Sequence, residues 1–132
     1  AAATSDLERW GTPATPAELL TQNRLGANYA RVQSGWPLEH RGVKSVVPVS
    51  GNVQVSDGEA LHRLALAGLA LARLAAFQVR DDIAAGRLVP VMEDCNPGDL
   101  EEIHAVYVGQ GGHVPLRVRA LLDFLVEAVN IR

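Results

Sequence analysis

Cysteine is nearly absent from this sequence. Cys95 is the only one in 132 residues, so no disulfide can form within the chain and a reducing compartment suits it. It lies in Cys95-Asn96-Pro97-Gly98, with no histidine or acidic base at a recognisable spacing, and is expected as a surface thiol rather than a nucleophile. Runs of Lys or Arg are missing too. Twelve basic residues face fifteen acidic ones, a net charge of −3, and both signs are dispersed. Phosphate backbones need clustered positive charge, so this segment alone is not expected to bind nucleic acid. No charge-free apolar stretch approaches the ~18 residues a membrane helix needs. The opening Ala1-Ala2-Ala3-Thr4-Ser5-Asp6 has no basic-then-apolar signal, and a cytoplasmic location is the expectation.

Catalytic and metal patterns are lacking as well. His40, His62, His104 and His113 show no His-x-x-x-His spacing, so neither a metal nor a cofactor is expected. Ser45, Ser50 and Ser56 have no Gly-x-Ser-x-Gly setting. Gly109-Gln110-Gly111-Gly112 lacks the Lys and the spacing of a phosphate loop, and is expected as a connector. No internal repeat or low-complexity tract occurs. An enzyme is not expected.

What is present is a globular composition, 48% hydrophobic and 20% charged, of a length for one domain or a two-lobed fragment. Thr15-Pro16-Ala17-Glu18 has the cap, the proline and the acid of a helix start. Residues 23–28 are expected as a strand, and Trp36-Pro37-Leu38 as the opening of another. Val43, Val47, Val49, Val53 and Val55 give strand chemistry on both sides of Ser50-Gly51-Asn52, with Pro48 arguing for an edge. Ser56-Asp57-Gly58-Glu59 forms a capping box, with Ser56 as the cap. Leu61, Leu64, Ala65 and Gly68 follow at helical spacing. Residues 69–74 then read as a buried strand interrupted by Arg73, 77–85 as a helix closed by Gly86, and 88–92 as another strand. That alternation implies an α/β sheet with parallel pairs. Residues 103–108 read as a further strand. Pro115 opens a last helix with Val118, Leu121, Leu122, Leu125 and Val129 on one stripe.

Three ordered stretches resemble the effector-binding domain of LysR-type bacterial transcription regulators. The first is Leu7-Glu8-Arg9-Trp10-Gly11-Thr12-Pro13, with Pro16 and Leu19 after it. The second runs from Val53 to Pro90 and includes Ala67-Gly68-Leu69-Ala70-Leu71-Ala72 and Gly86-Arg87-Leu88-Val89-Pro90. The third joins Ala105-Val106-Tyr107 to Pro115-Leu116-Arg117-Val118-Arg119-Ala120-Leu121-Leu122-Asp123-Phe124-Leu125. Together they cover nearly the whole chain. Ala70 stands where the family has the second Gly of Gly-Leu-Gly, and the proline that commonly ends the following strand is replaced near Ala75.

The resemblance implies an α/β fold like that of periplasmic binding proteins: a lobe with a mixed sheet flanked by helices. Residues 1–94 would be the second regulatory lobe, and 95–132 the strand and helix that return to a first lobe mostly absent here. It implies a small-molecule effector, an organic acid or metabolite, held between two lobes. DNA contact would come only through an N-terminal domain preceding Ala1, and the regulator would be a homo-oligomer. The alternative is a fragment of a solute-binding protein serving transport. A helix-turn-helix or a secretory signal upstream of Ala1 would separate the two.

The candidate ligand contacts start with the loop Val55, Ser56, Asp57 and Gly58, because a helix start offers free N–H groups to a carboxylate. Capping by Ser56 competes with that role, and Asp57 would repel an anion. Arg73, inside an apolar strand, would pair either with an effector carboxylate or with Asp57, Asp81 or Asp82. Asn28 and Tyr29 follow the first strand and are placed to line the cleft. Trp36 is a cleft wall or plain core.

Overall fold

Thr15 and Pro16 start a helix as their chemistry requires. The Thr15 hydroxyl accepts the Glu18 N–H at 3.2 Å, and the Glu18 carboxylate reaches back to accept the Ala14 N–H at 2.8 Å. The computed structural model describes residues 1–28, 35–108 and 114–129; Tyr29, Gly109 to Gly112 and His113 lie outside them. The helices are α1 (Thr4–Trp10), α2 (Pro16–Leu19), α3 (Gly58–Leu66), α4 (Ala76–Ala84) and α5 (Leu116–Ala128). The strands are β1 (Gly26–Ala27), β2 (Gly35–His40), β3 (Val43–Pro48) and β4 (Gln54–Val55), and a 3-10 turn spans Glu93–Cys95. Two compact units divide the chain, Ala1–Gly98 and Asp99–Arg132.

The first unit is built on short paired segments. β1 and β4 pair in parallel, Gly26 with Gln54 and Ala27 with Val55. On the other side of this chain segment, Arg24 bridges Leu71 in parallel, and the Leu25 N–H donates to the Leu71 carbonyl at 2.8 Å. Ala72 exchanges backbone hydrogen bonds with Ala1, and Ala2 bridges Val89 antiparallel. The lateral order is therefore 53–55, 24–28, 71–72, 1–2 and 89, a mixed sheet.

Its two faces are both buried. Ala3, Leu25, Ala70, Ala72 and Leu88 meet Leu61 and Ala65 of α3 and Val79 of α4 on one side. Ala2 and Leu71 meet Leu19, Leu38, Val47 and Cys95 on the other. The switch of face between Ala70, Leu71 and Ala72 is the two-residue period of extended chain. Ala70, in the place of the family's glycine, is fully buried, so its methyl is core.

β2 and β3 form a separate antiparallel hairpin, with Trp36 opposite Val47 and His40 opposite Val43. Its two-residue turn has φ 51° at Arg41 and 76° at Gly42, the left-handed pair that matches strand twist. Pro48 closes an edge, as its missing N–H demands.

Several expectations are corrected. The strand expected over 69–74 shrinks to Leu71 and its flanks, and that over 88–92 to the bridge at Val89, because each segment meets its neighbours over only one or two residues. Residues 103–108 form no strand. Val106 is 89% exposed, and among the described residues no backbone hydrogen bond joins them to a neighbour. Cys95 is not a surface thiol. It is fully buried, with Sγ 3.3 Å from His40 Nδ1, and burial pushes its pKa up. An unexpected helix, α1, precedes Gly11, whose φ of 85° ends it.

The second unit holds α5, which starts after Pro115 as its composition suggests and buries no residue. Leu116, Phe124 and Val126 are 84%, 62% and 84% exposed.

Candidate functional site

Three neighbouring segments run the same way and end at one edge of the sheet. β1 runs out at Asn28, β4 at Val55 and Ser56, and the Leu71 segment at Arg73. In open α/β sheets, ligands bind beyond the carboxyl ends of parallel strands, where loops and helix starts converge. The backbone itself joins two of these ends, since the Asn28 N–H donates to the Val55 carbonyl at 2.9 Å. Asn28, Ser56, Asp57 and Arg73 are all exposed there, while Val55 is half-buried and packs on the α3-side core.

The helix start differs from the expected box. Asp57, not Ser56, is the cap: its Oδ1 accepts the Ala60 N–H at 2.7 Å. Glu59 turns outward to receive Arg63 Nε at 2.8 Å, one turn along α3. An aspartate with extended backbone immediately before the first helical residue satisfies a free donor, so the shift by one residue costs nothing. Ser56 is thereby released from capping. Gly58 lies close to α4: a Cβ there would come within 3.2 Å of Gln78 Nε2.

Arg73, expected inside a buried apolar strand, is not buried. The residue is exposed just past the end of the Leu71 segment, where its charge carries no burial cost. Asp82, one of the carboxylates expected to receive it, is held by others. His62 Nε2–H donates to Asp82 Oδ2 and Arg87 Nε–H to Asp82 Oδ1, both at 2.6 Å. The hydrogen bond from Arg87, and after it that from His62, holds the Asp82 carboxyl below its usual pKa despite its burial. Trp36 packs on the other face of the sheet from α3. It is half-buried on β2, against the core of Leu38, Val47 and Leu71.

Sequence reasoning missed three buried polar groups. Asp82 and His62 sit on separate helices, and nothing local pairs residues twenty apart. Arg24 is 3% exposed, and its guanidinium donates to the carbonyls of Leu19, Gln22 and Pro48. Asp6, 2% exposed with Oδ2 unpartnered, has its pKa raised by burial against the opposing charge of Arg9. A helix that buries an aspartate shows no apolar periodicity. A surface cavity of about 330 Å³ is lined by Trp10, Thr21, Gln22 and Asn23. Asn23 precedes the Arg24 bridge, so this cavity lies at the starting ends of the strands, away from the Asn28–Ser56–Arg73 edge. Among the described residues, no group of three metal-ligating side chains converges, and no helix is long and apolar enough to cross a membrane.

A mixed α/β lobe with both sheet faces covered and its polar loops gathered at one strand edge is the architecture of periplasmic-binding-protein-like ligand domains. The match to known proteins is specific. The model of the LysR substrate binding domain fits residues 1–130. The HTH-type transcriptional regulator CrgA of Neisseria meningitidis serogroup C is 34% identical over 125 residues, 94% of this chain and 41% of CrgA. The solved CrgA regulatory domain from Neisseria meningitidis, a LysR-type transcriptional regulator, superposes with a TM-score of 0.84 at 30% identity, over 98% of this chain and 63% of that one. The regulatory domain of AphB from Vibrio vulnificus shares the fold, with a TM-score of 0.70 at 17% identity over 96% and 60%. The chain belongs to the LysR family, as the C-terminal part of its substrate-binding domain. It spans about two fifths of the length of the curated relatives it matches, and those relatives are transcriptional regulators rather than transport proteins.

Proposed function

We propose that this chain senses a small organic acid or related metabolite for a LysR-type transcription regulator, with no chemistry of its own. The effector sits against the edge formed by Asn28, Val55 to Gly58 and Arg73, and a first lobe supplied by the rest of the regulator closes over it. Residues 95–132 return to that first lobe, with Cys95 still packed in the core of this one. DNA is contacted by an N-terminal domain of the same regulator, which works in the cytoplasm as a homo-oligomer.

The observation that carries this reading is the convergence of exposed polar groups at the ends of three parallel segments. The Asn28–Val55 hydrogen bond fixes two of those ends side by side. Ser56, freed from capping by Asp57, offers a hydroxyl, and Arg73 offers a bidentate fork for a carboxylate. Asp57 is committed through its Oδ1 to the first helical turn, and Arg73 supplies the positive charge for the acid.

A panel of small organic acids screened by thermal shift against the intact regulator identifies the effector, and calorimetry then compares variants. Arg73→Ala is expected to weaken binding at least about tenfold, and Ser56→Ala less, as loss of a charge-assisted and of a neutral hydrogen bond predicts. Wild-type affinity in both variants would return the two residues to structural roles.

A further inference from the structure

α3 and α4 meet at two places one helical turn apart. Gly58, the first residue of α3, approaches Gln78 in the first turn of α4. Four residues on along each helix, His62 meets Asp82. The matched spacing means the helices run in the same direction with a fixed register, since contacts at i and i+4 recur on one face. Each helix starts directly behind one half of the candidate ligand edge: α3 behind Ser56 and Asp57, α4 behind Arg73.

We propose that the His62–Asp82–Arg87 cluster is the latch that holds these two halves in register, making His62 and Asp82 positioning residues for effector recognition. Asp82 is 7% exposed and accepts from both sides at once. One oxygen takes the α3 histidine, and the other takes Arg87, whose backbone N–H also donates to the Asp82 carbonyl at 2.8 Å. α4 is thereby tied to α3 on one side and to the turn leading into Val89 on the other. The Gly58–Gln78 approach at the ligand-facing end is close: a Cβ on Gly58 would lie 3.2 Å from Gln78 Nε2, on the same amide whose Oε1 accepts the Ala75 N–H at 3.4 Å. With the midpoint pinned by the His62–Asp82 hydrogen bond, α3 cannot slide along α4 without breaking it. Charged neighbours on α3 do not compete for the latch, because Glu59 and Arg63 pair with each other.

This inference rests on the effector reading for its functional meaning, but its test needs no effector. Amide hydrogen exchange is followed in the 132-residue chain and its His62→Ala, His62→Gln and Asp82→Asn variants. The Ala60 and Gln78 amides report the two helix starts, and the Leu25 and Leu71 amides report the sheet. His62→Ala and Asp82→Asn should raise exchange at Ala60 and Gln78 about tenfold while Leu25 and Leu71 stay within about twofold. His62→Gln, whose amide can donate to the same carboxylate, should return Ala60 and Gln78 toward wild type. A uniform rise at all four amides, no rise at Ala60 and Gln78, or no rescue by glutamine overturns the latch. If the latch holds but Arg73→Ala and Ser56→Ala keep full affinity for the identified acid, the effector reading alone fails.

Discussion

The Asn28 N–H donates to the Val55 carbonyl at 2.9 Å, one residue beyond the Ala27–Val55 register of two parallel strands. Through that bond, residues twenty-seven apart in sequence sit side by side at the ends of two parallel strands. The loop after Val55 enters α3 through the Asp57 cap. The cap assignment has a direct energetic consequence. Asp57→Ala removes the acceptor for the Ala60 N–H and should lower stability by about 1 kcal/mol, whereas Ser56→Ala should change it by less than about 0.5 kcal/mol. Chemical denaturation of the two variants decides between them.

Arg24 is a buried cation answered, among the described residues, by carbonyls, and burial lowers its pKa. Those carbonyls belong to the end of α2, the turn after it and the end of β3, so one side chain staples three elements. Arg24→Met fills similar volume but leaves the carbonyls of Leu19, Gln22 and Pro48 without their donor. A loss of about 2–3 kcal/mol is expected, at roughly 1 kcal/mol per buried hydrogen bond. A urea midpoint equal to wild type would show that water replaces the guanidinium at no cost.

Asp82 makes stability depend on acid. Its folded pKa lies below the ordinary carboxylate range, through the hydrogen bond from Arg87 first and, against the opposing effect of burial, that from His62. The ionised carboxylate therefore favours folding at every pH above about 4, and that contribution is lost as pH falls through the depressed folded value. Asp82→Asn should be less stable than wild type at pH 7, and the gap should close below about pH 4. Urea midpoints measured from pH 7 to pH 2.5 test this, and a gap that stays constant would mean that the carboxylate's charge contributes nothing.

The exposed apolar side chains of α5 carry a prediction of their own. Leaving Leu116, Phe124 and Val126 in water forgoes about 1.5–3 kcal/mol for each side chain that could be buried. The 132-residue chain is expected to self-associate at micromolar concentration, and a chain ending at Gly98 to stay monomeric. Light scattering separates the two, and equal monomer masses would contradict it.

Much of this fold was legible where the deciding chemistry is local. The Thr15–Pro16–Glu18 helix start, the hairpin strands, the α3 stripe and its end at Gly68, with φ 72°, all depend on residues within a few positions of one another. The errors lie where partners decide. Residues 69–74 look like a full strand because they are apolar, yet apolar character reports burial rather than ladder length, and only Leu71 and its flanks find neighbours. α1 escaped notice because its buried residue is Asp6. At the candidate site, the place of Asn28 after the first strand and of Ser56 before α3 is legible in the sequence, whereas Arg73 stands out there for a burial that the structure does not give it. The cap at Asp57 was read one residue early because serine and aspartate both cap well. The Asp82 latch was invisible, since it joins helices whose register only the tertiary packing sets.

Effector bound at the carboxyl-end edge of this lobe would leave a footprint on its backbone amides. Hydrogen exchange of the intact regulator is compared with and without the organic acid that most raises its melting temperature. New protection should fall on residues 26–28, 54–58 and 72–75, and should vanish in Arg73→Ala. Protection centred instead on Trp10 and residues 21–23, at the opposite end of the strands, or a melting temperature raised by no acid in the panel, would contradict the account.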